Sequence, residues 1–203
     1  MKHVVLACIA GGWLLCGACA NHHQPSKTPS DSLSSDTAAV PFLPIADLLG
    51  SEIRQIDTTP LAIWKFVTEK GRKDSVLLKP AEFHALAMQF VVPEFRDGSF
   101  QKDFTESSFI DNATQAATFT YSTTVRDLPL QRVDVIVAPH GAAHQMKSVY
   151  LERTRISGDS SILEKMFWQA GNRFQVSSLI RIGHQSPVER QLLVIWNAGE
   201  ENE

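Results

Sequence analysis

The stretch KSVYLERTRISGDSSILEKMFWQAGNRFQVSSLIRI, residues 147–182, decides the fold class. It holds three segments of strand length, each rich in apolar and β-branched residues and separated from the next by a Gly-containing turn. The segments are Lys147–Arg155, Ser161–Gln169 and Arg173–Ile182. Turns this short leave no room for the crossover that parallel strands require, so the stretch predicts an antiparallel meander.

The same alternation of short strands and turns extends in both directions from this stretch. In the segment before it, Val133, Val135 and Val137 occupy every second position, which is the period of a strand with one buried face. The further predicted strands are Leu61–Thr68, Ser75–Lys79, Ala116–Thr124, Arg132–Ala138 and Glu189–Asn197.

Two segments nearer the start have a helical period instead. The first lies between Pro44 and Pro60, and the second, shorter one follows Pro80 and ends at Pro93. Their apolar positions are Ile45, Leu48, Leu49, Ile53 and Ile56, and then Phe83, Leu86, Ala87 and Phe90. The predicted fold class is therefore α+β, with a mainly antiparallel, meandering β-sheet packed on one face by two N-terminal helices.

The beginning of the chain has the layout of a bacterial export signal. A positive residue precedes the apolar run Val4–Leu15, which is shorter than the roughly 20 residues of a transmembrane helix. The sequence Leu15-Cys16-Gly17-Ala18-Cys19 is similar to a lipobox, although Cys16 stands where leucine is usual. We predict a lipoprotein signal peptide over residues 1–18 and attachment of lipid, including palmitate, to Cys19.

A second processing outcome stays open, because Ala18-Cys19-Ala20 also fits the small-x-small pattern of ordinary cleavage. Cleavage after Ala20 would release a soluble exported protein. The segment that follows the signal, residues 19–40, is dominated by Ser, Thr, Pro and Asp and is predicted to be a flexible linker. Residues 41–203 are predicted to form a single domain.

Composition excludes several function classes. The 203 residues have a formal net charge of −3 and no basic stripe, which argues against a nucleic-acid partner. All three cysteines lie in the first 19 residues, so the predicted domain has no disulfide, thiolate zinc site or cysteine nucleophile. No phosphate-loop, dinucleotide or calcium-loop motif is present, and no cofactor is predicted. The densest basic run, Lys70-Gly71-Arg72-Lys73, is interpreted as the tip of a hairpin.

One polar segment offers residue types that hydrolases use. Glu106 and Asp111 are candidates for an acid and base pair, with Ser107 or Ser108 as a nucleophile. No histidine is near them in sequence, and the chain has no Gly-x-Ser-x-Gly motif. Turn formation and capping explain these residues better, so we predict that the protein is not an enzyme and keep a hydrolase as an alternative.

The histidines do not predict a metal site. His140 and His144 lie in a turn between two predicted strands, and His22 and His23 are neighbours in the predicted linker. Neither setting holds two imidazoles in fixed convergence, which metal binding requires. His84 is interpreted as structural or solvated.

The adjacent aromatic residues Phe167 and Trp168 predict a binding surface. Neighbours on a strand point to opposite faces of the sheet, so one of the two must face away from the helices if these cover a single face. Trp64, Phe167, Trp168 and Trp196 all lie on predicted strands, and most of them are expected in the core, because large aromatic side chains dominate burial.

Several segments together resemble a family of small lipoproteins of Bacteroidota that has no assigned activity. The resemblance is carried by the lipobox and polar linker, Pro41–Leu49 (PFLPIADLL), Phe104–Asp111 (FTESSFID), Thr118–Ser122 (TFTYS) and a last strand ending Val194-Ile195-Trp196. It covers most of the chain from Pro41 onward. The resemblance implies a location and a layout, and it carries no site residues.

The sequence thus predicts a lipid-anchored protein of the bacterial cell envelope, in the outer membrane and facing the periplasm. Its expected role is that of a non-enzymatic binding or assembly module, acting on an envelope protein or an apolar ligand through the sheet face or a groove under the helices. A structural envelope component with a protein partner is the first alternative.

Overall fold

The central strands of the sheet are joined by short turns that contain glycine. The structure, a computed structural model, describes residues 42–96, 98–138 and 145–197. In it the quoted stretch forms β6 (Met146–Ser157), β7 (Ser160–Gln169) and β8 (Arg173–Ile182). Gly158 and Gly171, in the two connecting turns, have φ angles of +59° and +71°, a conformation that costs little only for glycine. The predicted meander is confirmed for these three strands.

All nine strands of the described residues belong to one sheet in which every neighbouring pair is antiparallel. The spatial order is β2-β1-β9-β8-β7-β6-β5-β4-β3. The other strands are β1 (Ile63–Glu69), β2 (Arg72–Leu78), β3 (Thr105–Ile110), β4 (Ala117–Ser122), β5 (Leu130–Val137) and β9 (Val188–Ile195). The α+β class with a mainly antiparallel sheet is confirmed.

β3 was not predicted from the sequence. It lies at one edge of the sheet, and five of its six residues are exposed, so neither of its faces carries an apolar row. The strand forms because its backbone pairs with β4, from Thr105 opposite Ser122 to Ile110 opposite Ala117. The segment is a strand because it pairs with β4, and not because of its own side-chain pattern.

The helical segments occupy the sequence before β1 and between β2 and β3. They are α1 (Ile45–Thr58), α2 (Pro80–Ala87) and α3 (Ser99–Asp103), with 3₁₀ turns at Met88–Phe90 and Pro93–Phe95. Since β2 and β3 are the two opposite edges of the sheet, the chain between them must travel the width of the sheet. This connection allows the last strand, β9, to pair with β1.

The core is a cluster of aromatic rings on one face of the sheet, called the inner face here. Trp168, Phe174 and Trp196 project from this face and are at most 5% exposed. Phe83 of α2 and Phe90 of the first 3₁₀ turn contact them, with ring centroids 5.2 to 6.2 Å apart. The buried residues of α1 belong to the same hydrophobic cluster.

One carboxylate lies among these apolar side chains. Glu164 on β7 shares the inner face with Trp168 and is 4% exposed. Its two oxygens accept hydrogen bonds from Arg153 Nε at 2.6 Å and Arg155 Nη2 at 2.8 Å. Arg153 also donates to the carbonyl of Gln89, which lies in the first 3₁₀ turn. The charged group therefore links the sheet to the segment packed on it.

Candidate binding surface

The face of the sheet opposite the core, called the outer face here, carries a continuous row of side chains. The strand registers place one residue of each strand on a single line across the sheet, and alternation puts all nine on the outer face. From the β2 edge to the β3 edge, the row is Ser75, Phe66, Leu193, Gln175, Phe167, Tyr150, Asp134, Thr120 and Ser107.

The β2 end of this face is apolar. Trp64 and Phe66, two positions apart on β1, are 45% and 39% exposed, and their stacked rings lie 6.5 Å apart. Leu77 of β2 lies opposite Trp64 and is 52% exposed, and Ile195 of β9 lies on the other side of the same tryptophan. Leu193 lies opposite Phe66. These five residues are called the hairpin patch here.

The middle of the row combines an apolar ring with a phenol. Phe167 of β7 is 38% exposed and lies opposite Tyr150 of β6. The Tyr150 hydroxyl donates to Glu152 Oε2 at 3.0 Å. Partial burial, followed by the hydrogen bond and the charge of Glu152, raises the pKa of Tyr150 to about 12. The phenol is therefore a neutral hydrogen-bonding group at physiological pH.

The end of the row near β4 and β5 is charged and ordered. Asp134 accepts hydrogen bonds from the Thr120 hydroxyl at 2.7 Å and from Arg132 Nε at 2.9 Å. The hydrogen bond and charge of Asp134 raise the pKa of Arg132, so the guanidinium stays charged. The outer face thus changes from apolar near β2 to polar and charged near β4, with Phe167 and Tyr150 between the two ends.

The structure corrects half of the predicted surface pair. Phe167 points outward, but Trp168 is fully buried among the core rings, so Trp168 belongs to no surface. Of the four aromatic residues on predicted strands, most of which were expected in the core, Trp168 and Trp196 are buried there, and Trp64 and Phe167 are not. Trp64 sits on the outer face of β1, away from the aromatic cluster that buries Trp168 and Trp196. In each case the sequence predicted that neighbouring side chains point to opposite faces of the sheet, but not which face the helical segments cover.

Glu106 and Asp111, the two carboxylates of the alternative hydrolase hypothesis, do not lie close together. Glu106 lies on β3 opposite Tyr121, whose buried hydroxyl accepts a hydrogen bond from the Leu43 N–H. Burial is the main cause that raises the pKa of Tyr121, and Glu106 adds to it. Asp111 follows the strand and accepts hydrogen bonds from the Ala113 N–H and the Thr114 hydroxyl, which lower its pKa. Five residues of extended strand span about 16 Å. Acid and base pairs of glycosidases lie about 5 to 10 Å apart.

The remaining candidates are placed as follows. His84 Nδ1 hydrogen-bonds with Asp57 Oδ2 at 2.6 Å, which joins α2 to α1. His140 and His144 lie outside the described residues, as do His22, His23, Cys19 and the predicted signal and linker. Within the described ranges, no group of three or more His, Cys, Asp or Glu side chains is placed to hold a metal ion.

Two shallow clefts lie at the ends of the strands. One of about 640 Å³ is bounded by the turn after β1 and by Gln185–Glu189, and one of about 610 Å³ is bounded by Leu128, Arg155 and Ile162. Two further clefts border α1: one of about 630 Å³ lies between the start of α1 and Phe100, and one of about 310 Å³ lies between α1 and the sheet beside Trp196. Ring contacts fill the space under α2 and the first 3₁₀ turn.

Comparisons with models of protein families, with curated proteins and with solved structures give no match for this chain. In the part of the chain that the structure describes, no helix is long and apolar enough to cross a membrane.

Proposed function

We propose that the protein is a lipid-tethered binding module of the bacterial cell envelope, which holds a protein partner against the outer face of its sheet between β5 and β8. The tether is the lipid on Cys19 proposed from the lipobox-like sequence. The observation that carries the binding role is the outer-face row, in which half-exposed Phe167 lies between apolar side chains and an ordered charged cluster. Aromatic anchors with polar surroundings are the usual composition of protein–protein hot spots.

Two features favour a protein over a small apolar ligand. The space between the inner face and α2 is filled by rings, and the cleft between α1 and the sheet beside Trp196 has a volume of only about 310 Å³. The cleft beside the turn after β1 is open and mixed in character, whereas sites for small molecules are usually enclosed and mostly apolar. A nine-stranded sheet face suits a macromolecular partner instead.

The experiment that tests the binding role places a photo-crosslinking phenylalanine analogue at Phe167 in cells that export the full chain. We expect one discrete protein adduct, and we expect the added substitution Asp134→Lys to abolish it by reversing the charge at the polar end. The matched control is the same analogue at exposed Lys102, which lies on α3 and outside the row. Absence of an adduct, or the same adduct from both positions, would contradict the proposal.

The tether has its own test. Mass spectrometry of the mature N-terminus should find acyl chains on Cys19. An unmodified chain that begins at Asn21 would show ordinary export instead of lipid anchoring. The crosslinking result would still test the binding role by itself.

A further inference from the structure

The hairpin formed by β1 and β2 exposes apolar side chains at one edge of the sheet, as β3 does at the other edge with Phe109 and Ile110. Trp64, Phe66 and Leu77 are half-exposed on its outer face, and Val76 is 44% exposed on the other face. β2 is an edge strand, and all of its residues except Leu78 are exposed. Natural edge strands usually avoid apolar exposure, because an open edge with apolar side chains invites association. This hairpin therefore needs a partner surface.

The hairpin is also basic in an acidic chain. Residues 63–78 contain four Lys or Arg and two Asp or Glu, a formal charge of +2, whereas the whole chain has −3. Three of the basic residues, Lys70, Arg72 and Lys73, are exposed at or next to the two-residue turn. The turn is held by Lys70 and Gly71, with φ angles of +49° and +75°, as expected for a tight hairpin.

The basic turn and the hairpin patch are adjacent on the same strands. Lys73 lies opposite Thr68, two positions along β1 from Phe66, which is a separation of about 7 Å along a strand. Alternation places Lys73 on the same outer face as Phe66 and Trp64. An exposed tryptophan and phenylalanine next to a basic cluster match a bilayer surface, where aromatic rings prefer the headgroup layer and cations attract anionic lipids.

We propose that the β1–β2 hairpin docks on an anionic phospholipid bilayer, with Trp64, Phe66 and Leu77 in the headgroup layer and Lys70 and Lys73 on lipid phosphates. Arg72 lies opposite Glu69 on the other face, where it adds only to the positive charge of the turn. This inference rests on the proposed function for its membrane, the one that carries the Cys19 lipid. The 22 residues between Cys19 and Phe42 reach at most about 80 Å when extended, so the tether keeps the domain near that surface. Weak docking then suffices, because tethering makes the contact effectively intramolecular.

The test uses the mature protein recovered from cells and reconstituted in vesicles of phosphatidylethanolamine and phosphatidylglycerol with brominated acyl chains. Trp64 is the half-exposed tryptophan of the described residues, whereas Trp168 and Trp196 are buried, so the emission that bromine quenches reports on Trp64. A Trp64→Phe variant gives the baseline. We expect strong quenching in anionic vesicles and at most one third as much in brominated phosphatidylcholine.

The decisive variant carries Lys70→Glu, Arg72→Glu and Lys73→Glu, all at exposed positions. It should lose the Trp64 quenching in anionic vesicles. The matched control carries Lys102→Glu, Lys147→Glu and Arg181→Glu, which changes the net charge equally at exposed sites outside the hairpin, and it should keep the quenching. Equal quenching in both variants, or none in the unsubstituted protein, would overturn the docking proposal.

Failure of docking is distinguishable from failure of the tether. A lipidated triple variant still floats with vesicles through Cys19 even when Trp64 quenching is lost. If mass spectrometry finds no lipid, the same quenching measurement on protein added to preformed vesicles tests the hairpin alone. A crosslinker at Leu77 that yields a protein adduct in cells, together with unquenched Trp64, would assign the hairpin to a protein partner and overturn the lipid docking.

Discussion

At the scale of single residues, the most unusual feature is the buried carboxylate of Glu164. Burying a charge is costly unless it is paired and hydrogen-bonded, and here both carboxylate oxygens have an arginine. The two arginines differ, since the side chain of Arg153 is 13% exposed and that of Arg155 is 53% exposed. Removal of a partner should therefore have unequal consequences.

We predict that Glu164→Gln lowers the free energy of unfolding by about 3 kcal/mol, because it leaves the buried Arg153 guanidinium without a counter-charge. Arg153→Met should cost a similar amount, and Arg155→Met less than about 1 kcal/mol, because water already screens that pair. Urea unfolding followed by circular dichroism measures these differences. The control Glu189→Gln, at an exposed position, should change stability by less than about 0.5 kcal/mol. Equal losses for the two arginine variants would contradict this account.

Both tyrosines of the chain should resist ionisation in the folded protein. Burial is the main reason that the pKa of each tyrosine lies above its ordinary value of 10.0, and the pKa of Tyr150 is raised to about 12. The folded state therefore retains protons that the unfolded chain releases, so the free energy of unfolding should fall as pH rises from 10 towards 12. Tyrosinate absorbance should stay low at pH 10 in the native protein and appear on unfolding in urea. Half-ionisation of the tyrosines at pH 10 in the native state would contradict this prediction.

At the scale of elements, the hairpin turns depend on backbone conformation. Gly158, between β6 and β7, has a φ of +59°, and an added Cβ there would meet no atom within 4 Å. Gly158→Ala should therefore destabilise the protein by about 1 kcal/mol through backbone strain alone.

The matched control for this prediction is Gly98→Ala. That position is equally open, but its φ is −66°, which alanine adopts easily, so the substitution should be neutral or slightly stabilising. Thermal unfolding of both variants compares the two positions. Similar losses at Gly98 and Gly158 would show that conformation is not the cause.

At the scale of the whole molecule, stability should follow position in the sheet and not position in the chain. β9 is the last strand in sequence, but it lies between β1 and β8, whereas β3 lies in the middle of the sequence and at an edge of the sheet. We predict slow amide hydrogen exchange in β9 and fast exchange in β3 and β2, because edge strands leave backbone groups open to water. Mass spectrometry of exchanged peptides measures this. Exchange in β9 as fast as in β3 would contradict the pairing of β1 with β9.

Much of the fold could be predicted from the sequence because its causes are local. The glycines between strands, the two-residue period of Val133 to Val137 and the helical period of residues 45–56 each act over a few positions, and the structure has strands and a helix there. β3 could not be predicted, because its exposed residues carry no such period and only its pairing with β4 makes it a strand.

The sequence by itself determined an antiparallel α+β domain, since turn chemistry and alternation are properties of neighbouring residues. It also determined that Phe167 and Trp168 point to opposite faces. Only the tertiary structure decided which of the two is buried, because that depends on where Phe83 and Phe90 pack. The outer-face row and the hairpin patch likewise depend on the pairing of β1 with β9, between residues that most of the chain separates and that no local pattern connects.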